Sequence, residues 1–578
     1  MTDAFHDAAL PDSRAVRRAT IIRLATGLAQ GLLLYGLYQA DKSKVWPATQ
    51  RELYAALLMV FLFAPFVVLA GVSALRFRTL AVWKGVAALV AAGLGAYGVW
   101  SGDPAAKGVN GLGPLTVLGV AALIFIGHHL VQPADMERRR IARYEAYFDV
   151  TWKHGVQAVL SLGFTGAFWL LLFLAAALFK LIGVDAIEKL IRHEWFIFPA
   201  TAVVFAAAVQ LTDVRANLVR GVRTVVLTLL AWLLPLMALI AAAFLLTLPF
   251  TGLEPLWKTK SATAILLVAD AFLILLTDAA YQDGTETTAV VLKWAARLAG
   301  VLLVPITVLA AYGLSLRIGQ YGLSPDRIIA AACVLVAAGY AVGYAVAAVR
   351  PGAWMRTLEA TNIAMAFVVI AVLLALCTPI ADPRRLSVND QVARLEKGKV
   401  RAEAFDYQFL RFDAGRFGRN ALDRLKTSSD PKIVQRAKAV AVQAGRNYSP
   451  PPRPAYNPRI VFHPKGARPP EGFPTAVPPE SRFGGCLSSD AVCDATVLDM
   501  TGDGRPEVLM TSGWEIEVYG AGADGAWLRL GGFQPPCSGF DSRAAIRDGK
   551  LSAATPAVQD LVSANGPMRF AKDLAACP

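Results

Sequence analysis

The sequence predicts an all-α polytopic membrane bundle of about eleven transmembrane helices, N-terminus in and C-terminus out. A small helical segment and a small disulfide-containing β-rich domain follow it. Three observations carry this expectation. The 578-residue chain is 55% hydrophobic and only 17% charged, whereas a soluble domain is roughly a quarter charged. The apolar excess collects in blocks of about 20 residues between Ile21 and Ile380, each long enough to cross hydrocarbon. Four of the six cysteines gather after Arg482, in a stretch of ordinary soluble composition.

A tail over 1–20 precedes the transmembrane domain, 21–385. Candidate spans lie near 21–40, 53–75, 79–100, 114–132, 156–182, 196–213, 224–248, 262–281, 290–314, 328–349 and 361–380. Lipid tolerates no unpaired backbone, so each must be helical. The ninth opens with Lys293 and Arg297, which can snorkel to the headgroups. The first is expected to stay in the membrane, because a polar leader precedes it and Tyr38 stands where a cleavage site needs a small residue.

Basic residues set the orientation. With the tail cytoplasmic, the inside segments hold more Lys and Arg than the outside loops, and "MERRRIARYEAYF" is the strongest anchor. An odd number of crossings then puts everything after Ile380 outside, in the periplasm of a bacterial inner-membrane protein. The net charge of +14 follows from such loops. No nucleic-acid-binding motif accompanies it, so nucleic acid is excluded as a partner and the lipid bilayer is the expected one.

The outside part divides into three. Residues 386–447 read as helices, "SVNDQVARLEKG" opening on a Ser-x-x-Asp cap and closing at Gly398. These basic helices suit either anionic headgroups or water. Residues 448–480 are proline-rich and read as an extended linker. Residues 481–578 read as short strands, "ATVLDM", "PEVLMTS", "WEIEVYG" and "AWLRLGGF", separated by Gly and Asp turns. Cys486, Cys493, Cys537 and Cys577 form an even set suited to two disulfides in an oxidising compartment. Zinc is the rival, but it favours a closer pair than "CLSSDAVC" offers. Cys333 and Cys377 lie in spans as small apolar residues.

In "DMTGDGRPEV", Asp499, Thr501 and Asp503 occupy positions 1, 3 and 5, the carbonyl of Arg505 position 7 and Glu507 position 9. Calcium takes six to eight hard oxygens, and this spacing supplies most of them. The stretch resembles the calcium loop of integrin-type FG-GAP repeats, departing from it at Thr501 and Glu507. That resemblance implies one structural calcium as cofactor. A plain Asp-Gly hairpin turn is the alternative.

Inside the spans polar residues are costly and therefore informative. Asp270, in mid-span, is the leading candidate for a proton or cation site. Asp278 lies two turns on, on roughly the same face. Gln210 and Asp213 share a face near the end of the sixth span. The six histidines suggest no constellation; adjacent His128 and His129 point apart and are expected at headgroups. The first outside loop offers Asp41 and Glu52, which would be catalytic if the chain worked like polytopic glycosyltransferases that use polyprenyl-linked sugars. That likeness is one of architecture alone. No nucleotide-binding, nucleophile-elbow, zincin or kinase motif is present.

"GLAQGLLLYGLYQA", "FTGLEPLWKTKSATAILL", "DAAYQDG", "LRIGQYGLSPDRI" and "FDYQFLRFDAGRFGRNAL" together resemble the bacterial membrane family catalogued as domain of unknown function 4153. Tyr-Gly-Leu-Ser-Pro-x-Arg at 321–327 is the most specific piece. The resemblance implies a polytopic inner-membrane protein and supplies no catalytic residue. A transporter or transport accessory with a periplasmic partner-binding domain is the leading expectation, because the bundle exceeds what an anchor needs. A polyprenyl-linked glycosyltransferase and an envelope assembly or sensing scaffold are the alternatives.

Overall fold

Each apolar block folds as a helix in the computed structural model. It describes residues 13–104, 112–259, 261–284, 288–351, 354–443, 445–446, 459–473, 486, 492–513, 515–522, 525, 527–535, 537–554, 561–563, 566–568 and 575–576. The chain forms two units, Met1–Arg446 and Asn447–Pro578.

In the first unit the helices are α1 (Ser13–Lys42), α2 (Arg51–Gly71), α3 (Phe77–Ser101), α4 (Pro114–Glu137), α5 (Tyr144–Leu181), α6 (Ala186–Arg192), α7 (Glu194–Val214) and α8 (Ala216–Thr251). They continue with α9 (Glu254–Lys258), α10 (Ala262–Tyr281), α11 (Val290–Tyr321), α12 (Pro325–Val349), α13 (Thr357–Leu376), α14 (Pro383–Glu396), α15 (Gly415–Leu425) and α16 (Pro431–Ala441). Among the described residues eleven are long and apolar enough to cross a membrane, and they are the eleven expected blocks. Large apolar side chains such as Leu171, Phe173, Leu239 and Phe250 face outward. Water would disfavour so much exposed apolar area, and acyl chains accommodate it.

Two cores hold the bundle. One is built on α8, α10, α11 and α12, with Leu273, Leu303, Ile306 and Tyr344 at its centre. The other joins α2, α3 and α4 around Met59, Ala91 and Ile124. Helix α1 packs on α7 through small residues: a Cβ at Gly27 would meet the Ala202 carbonyl at 2.7 Å, and one at Gly31 would meet Pro199. Close backbone approach of this kind replaces the hydrophobic drive that lipid removes.

Helix α14 starts earlier than the expected Ser387 cap. Asp382 caps it instead, its Oδ1 accepting the N–H groups of Arg384 and Arg385, with Pro383 at the first helical position. Ser387 is turned inward and donates to the Leu323 carbonyl at 3.0 Å. The short helices thus pack on the bundle: Arg419 of α15 pairs with Asp103 at 2.6 Å.

The second unit is a five-stranded sheet, β1 (Arg459–Phe462), β2 (Val492–Leu498), β3 (Glu507–Thr511), β4 (Ile516–Ala521) and β5 (Trp527–Phe533), in that order. Within this sheet β1–β2 is parallel and the other pairs are antiparallel. Alternation splits β3 between two faces: Val508 and Met510 join Phe473, Tyr519 and Trp527, while Leu509 joins Val518 and Ile546. The proline-rich stretch is therefore more than a linker, since it contributes β1 and Phe473; residues 447–458 and 474–480 lie outside the described residues.

Cys486 and Cys493 form a disulfide in this core. Cys537 is also disulfide-bonded, and Cys577 lies outside the described residues. A short helix, α17 (Ser542–Arg547), places Arg543 and Arg547 on Asp494 of β2, at 2.7 and 2.8 Å. His463 Nε2 adds a third contact at 2.9 Å. Burial opposes ionisation of Asp494, but Arg547, Arg543 and His463 outweigh it and hold its pKa at about 2.

Candidate functional site

A cavity of about 240 Å³ is lined from α4, α5, α10, α12 and α13, with Tyr144, Phe148, Trp152, Tyr340 and Ile363 of the first core in its wall. Its polar groups are few: Asp278, Asn362, His129, Thr151 and tyrosine hydroxyls. Asp278 Oδ1 accepts from the Tyr344 hydroxyl at 2.5 Å and from Asn362 Nδ2 at 2.9 Å. Asn362 Nδ2 also reaches the Tyr144 hydroxyl at 3.3 Å. A file of rings, Trp354, Tyr281, Tyr144, Phe148 and Trp152, runs past the carboxylate with successive centroids 5.3 to 6.2 Å apart. A second cavity, about 290 Å³, is apolar apart from Gln30, whose amide donates to the carbonyls of Phe61 and Leu62. Convergent polar groups mark the first as the candidate site.

The histidines correct the sequence reading. His128 and His129 do not point apart: their rings meet edge-on with centroids 5.6 Å apart, each also within 5.6 Å of His154, and both are buried, 0% and 4% exposed, rather than set among headgroups. His154 of α5 completes a cluster. His129 Nδ1 lies 2.6 Å from the Phe125 carbonyl and so carries the proton, which leaves Nε2 to accept from His154 Nδ1 at 3.0 Å. Trp83 donates to His128 Nδ1 at 3.3 Å, and His128 Nε2 donates to Gln132 at 2.9 Å. Every partner assignment is consistent with neutral rings. No local pattern marks His154, which stands 25 residues from His129 and is joined to it by the α4–α5 packing.

The intramembrane candidates separate into three places. Asp270 is 1% exposed and does not line the cavity; Oδ2 accepts from Thr307 at 2.8 Å, and among the described residues Oδ1 has no partner. Asp278 lies in the cavity wall. Gln210 and Asp213 belong to an ionic cluster centred on Arg23, a residue of the first span that polarity alone could have singled out. Arg23 donates to Gln210 at 2.5 Å, Asp213 at 2.9 Å, Ser73 at 3.1 Å and the Leu69 carbonyl at 2.8 Å. Lys153 adds a second cation to Asp213 at 2.8 Å. Buried charges persist when paired this fully.

The loop candidates lie apart from the cavity. Asp41 pairs with Lys44 at 2.9 Å, and Glu52 is exposed in the first turn of α2. In the second unit, Asp499 accepts the N–H groups of Gly502 and Gly504, and Asp503 accepts that of Arg505. Glu507 accepts from Met500 N–H and Thr501 Oγ. This loop joins β2 to β3 with Gly502 and Gly504 at positive φ. Among the described residues no group of three or more His, Cys, Asp or Glu is placed to hold a metal.

The turn at 321–327 is clamped by α14. Gly322 takes φ of +74°, Ser324 caps α12, and Arg327 donates to the Gly322 carbonyl at 2.7 Å. Asp390, Gln391 and Arg394 of α14 bind the backbone from Gln320 to Leu323. Two stretches that are distant in sequence thus form one structural joint.

No curated protein and no solved structure matches the chain. A family model does: residues 24–425, from the first span through α15 and including the cavity and this joint, match the one described as domain of unknown function (DUF4153), and the chain belongs to that family.

Proposed function

We propose that the chain is a transporter or transport accessory of a bacterial inner membrane, and that its bundle admits a small ligand to the Asp278 cavity. The observation that carries this is the cavity itself: a carboxylate held on one oxygen and walled by aromatic rings, where five helices come together. An anchor would gain nothing from that arrangement. On this reading the N-terminus is cytoplasmic, and the unit after Arg446 lies in the periplasm, where it docks an envelope partner. The basic loops support that orientation, as does the Cys486–Cys493 disulfide, because such bonds persist in oxidising compartments.

Filling the cavity tests the function. Ala366 lines it, and Ala366→Trp occupies its volume. In cells deleted for the chain, this variant is expected to insert and accumulate normally yet fail to complement; full complementation would remove the reading. Orientation is tested separately with alkaline phosphatase fused after Arg446. Activity there, and none from a fusion after Arg350, is expected.

A further inference from the structure

We propose that, on the ligand-carrying reading above, the occupant of this cavity is a small protonated organic amine with an apolar body. Asp278 offers the counter-charge. Its Oδ1 is taken by Tyr344 and Asn362, while among the described residues Oδ2 has no donor and the carboxylate no ion-pair partner. A carboxylate at this depth is stable when a cation approaches it. The protein supplies none: no Lys or Arg lines the cavity, and both ring nitrogens of His129 are engaged, with Phe125 and His154.

The walls select the kind of cation. Tyr144, Tyr147, Phe148, Trp152 and Tyr340 present aromatic rings, whose faces attract ammonium groups. A metal ion needs several hard oxygens instead. Anionic ligands meet a carboxylate and no positive side chain. An N⁺–H donor satisfies Oδ2, the rings take the apolar body, and about 240 Å³ limits it to something small, since ligand pockets span roughly 300–1,000 Å³.

The test uses the full chain in lipid nanodiscs and two probes of one shape: 2-phenylethylamine, protonated at neutral pH, and uncharged 2-phenylethanol. Calorimetry is expected to show saturable amine binding, with the alcohol at least about tenfold weaker because the charged hydrogen bond is missing. Asp278→Asn is expected to lose amine binding by a similar factor, and Trp152→Leu to weaken it without changing the preference for amine over alcohol. Equal binding of the two probes by the unaltered protein would overturn the proposal, and so would amine binding that Asp278→Asn leaves unchanged. Flux in proteoliposomes separates this from the broader reading. Amine that binds through Asp278 but never crosses upholds the site and defeats transport. Amine flux that survives Asp278→Asn upholds transport and defeats the site.

Discussion

The carboxylate of Asp390 in α14 receives the backbone N–H of Leu323, in the turn between α11 and α12, at 2.7 Å. That turn passes through Gly322 at φ of +74°, and a Cβ there would stand 2.5 Å from Asp390 Oδ2 and 2.7 Å from Arg394 Cδ. Gly322→Ala therefore meets backbone strain and a clash together. It is expected to destabilise the protein by roughly 2 kcal/mol or more. Asp390→Ala leaves the Leu323 N–H without its acceptor and is expected to cost about 1–3 kcal/mol. Thermal unfolding of the purified protein in detergent measures both. A wild-type melt for Gly322→Ala would contradict the joint.

Arg23 holds three helices and a turn at once. With four acceptors on one guanidinium that is 1% exposed, Arg23→Leu strands Gln210 and the Leu69 carbonyl and leaves Asp213 with Lys153 and Ser73. The expected loss is about 1–3 kcal/mol, the cost of buried acceptors left without their donor, with the Asp213 charge still met by Lys153. Arg23→Lys is expected to recover little of it, because an ammonium cannot reproduce the planar fork. Accumulation in the membrane fraction and thermal unfolding read the difference; a lysine variant as stable as the wild type would show that charge alone suffices.

Asp494 makes the sheet domain sensitive to acid. Its folded pKa, about 2, lies below the ordinary 3.8, so its contribution to stability is present above about pH 4 and is lost as pH falls through about 2. The shift corresponds to about 2 kcal/mol. Hydrogen exchange of the β2 and β3 amides in the full chain is expected to accelerate over that window. Asp494→Asn is expected to exchange faster already at neutral pH, with less further acceleration in acid. An unchanged acid response in that variant would assign the effect to another carboxylate.

Span number was legible in the residues because crossing hydrocarbon is a constraint of length and polarity within one segment. Block ends were less so: α5, α8 and α11 extend 38, 36 and 32 residues, since a helix continues past the lipid wherever its backbone stays paired. Of the site, Asp278 was visible as a polar residue in a span, but Asp270 looked stronger because it sits nearer mid-span. Only packing reveals that Thr307 and apolar neighbours enclose Asp270 while α4, α5, α12 and α13 leave open space beside Asp278.

By itself, then, the sequence determined the eleven crossings, the strand-rich unit that follows them and the family, all of which depend on patterns read along a single stretch. The tertiary structure alone decided which polar residues share a site. His129 with His154, Asp278 with Tyr344 and Asn362, and Arg23 with Gln210 and Asp213 join side chains from different helices. Their meeting is governed by how apolar faces interlock across the bundle, and no local period records it.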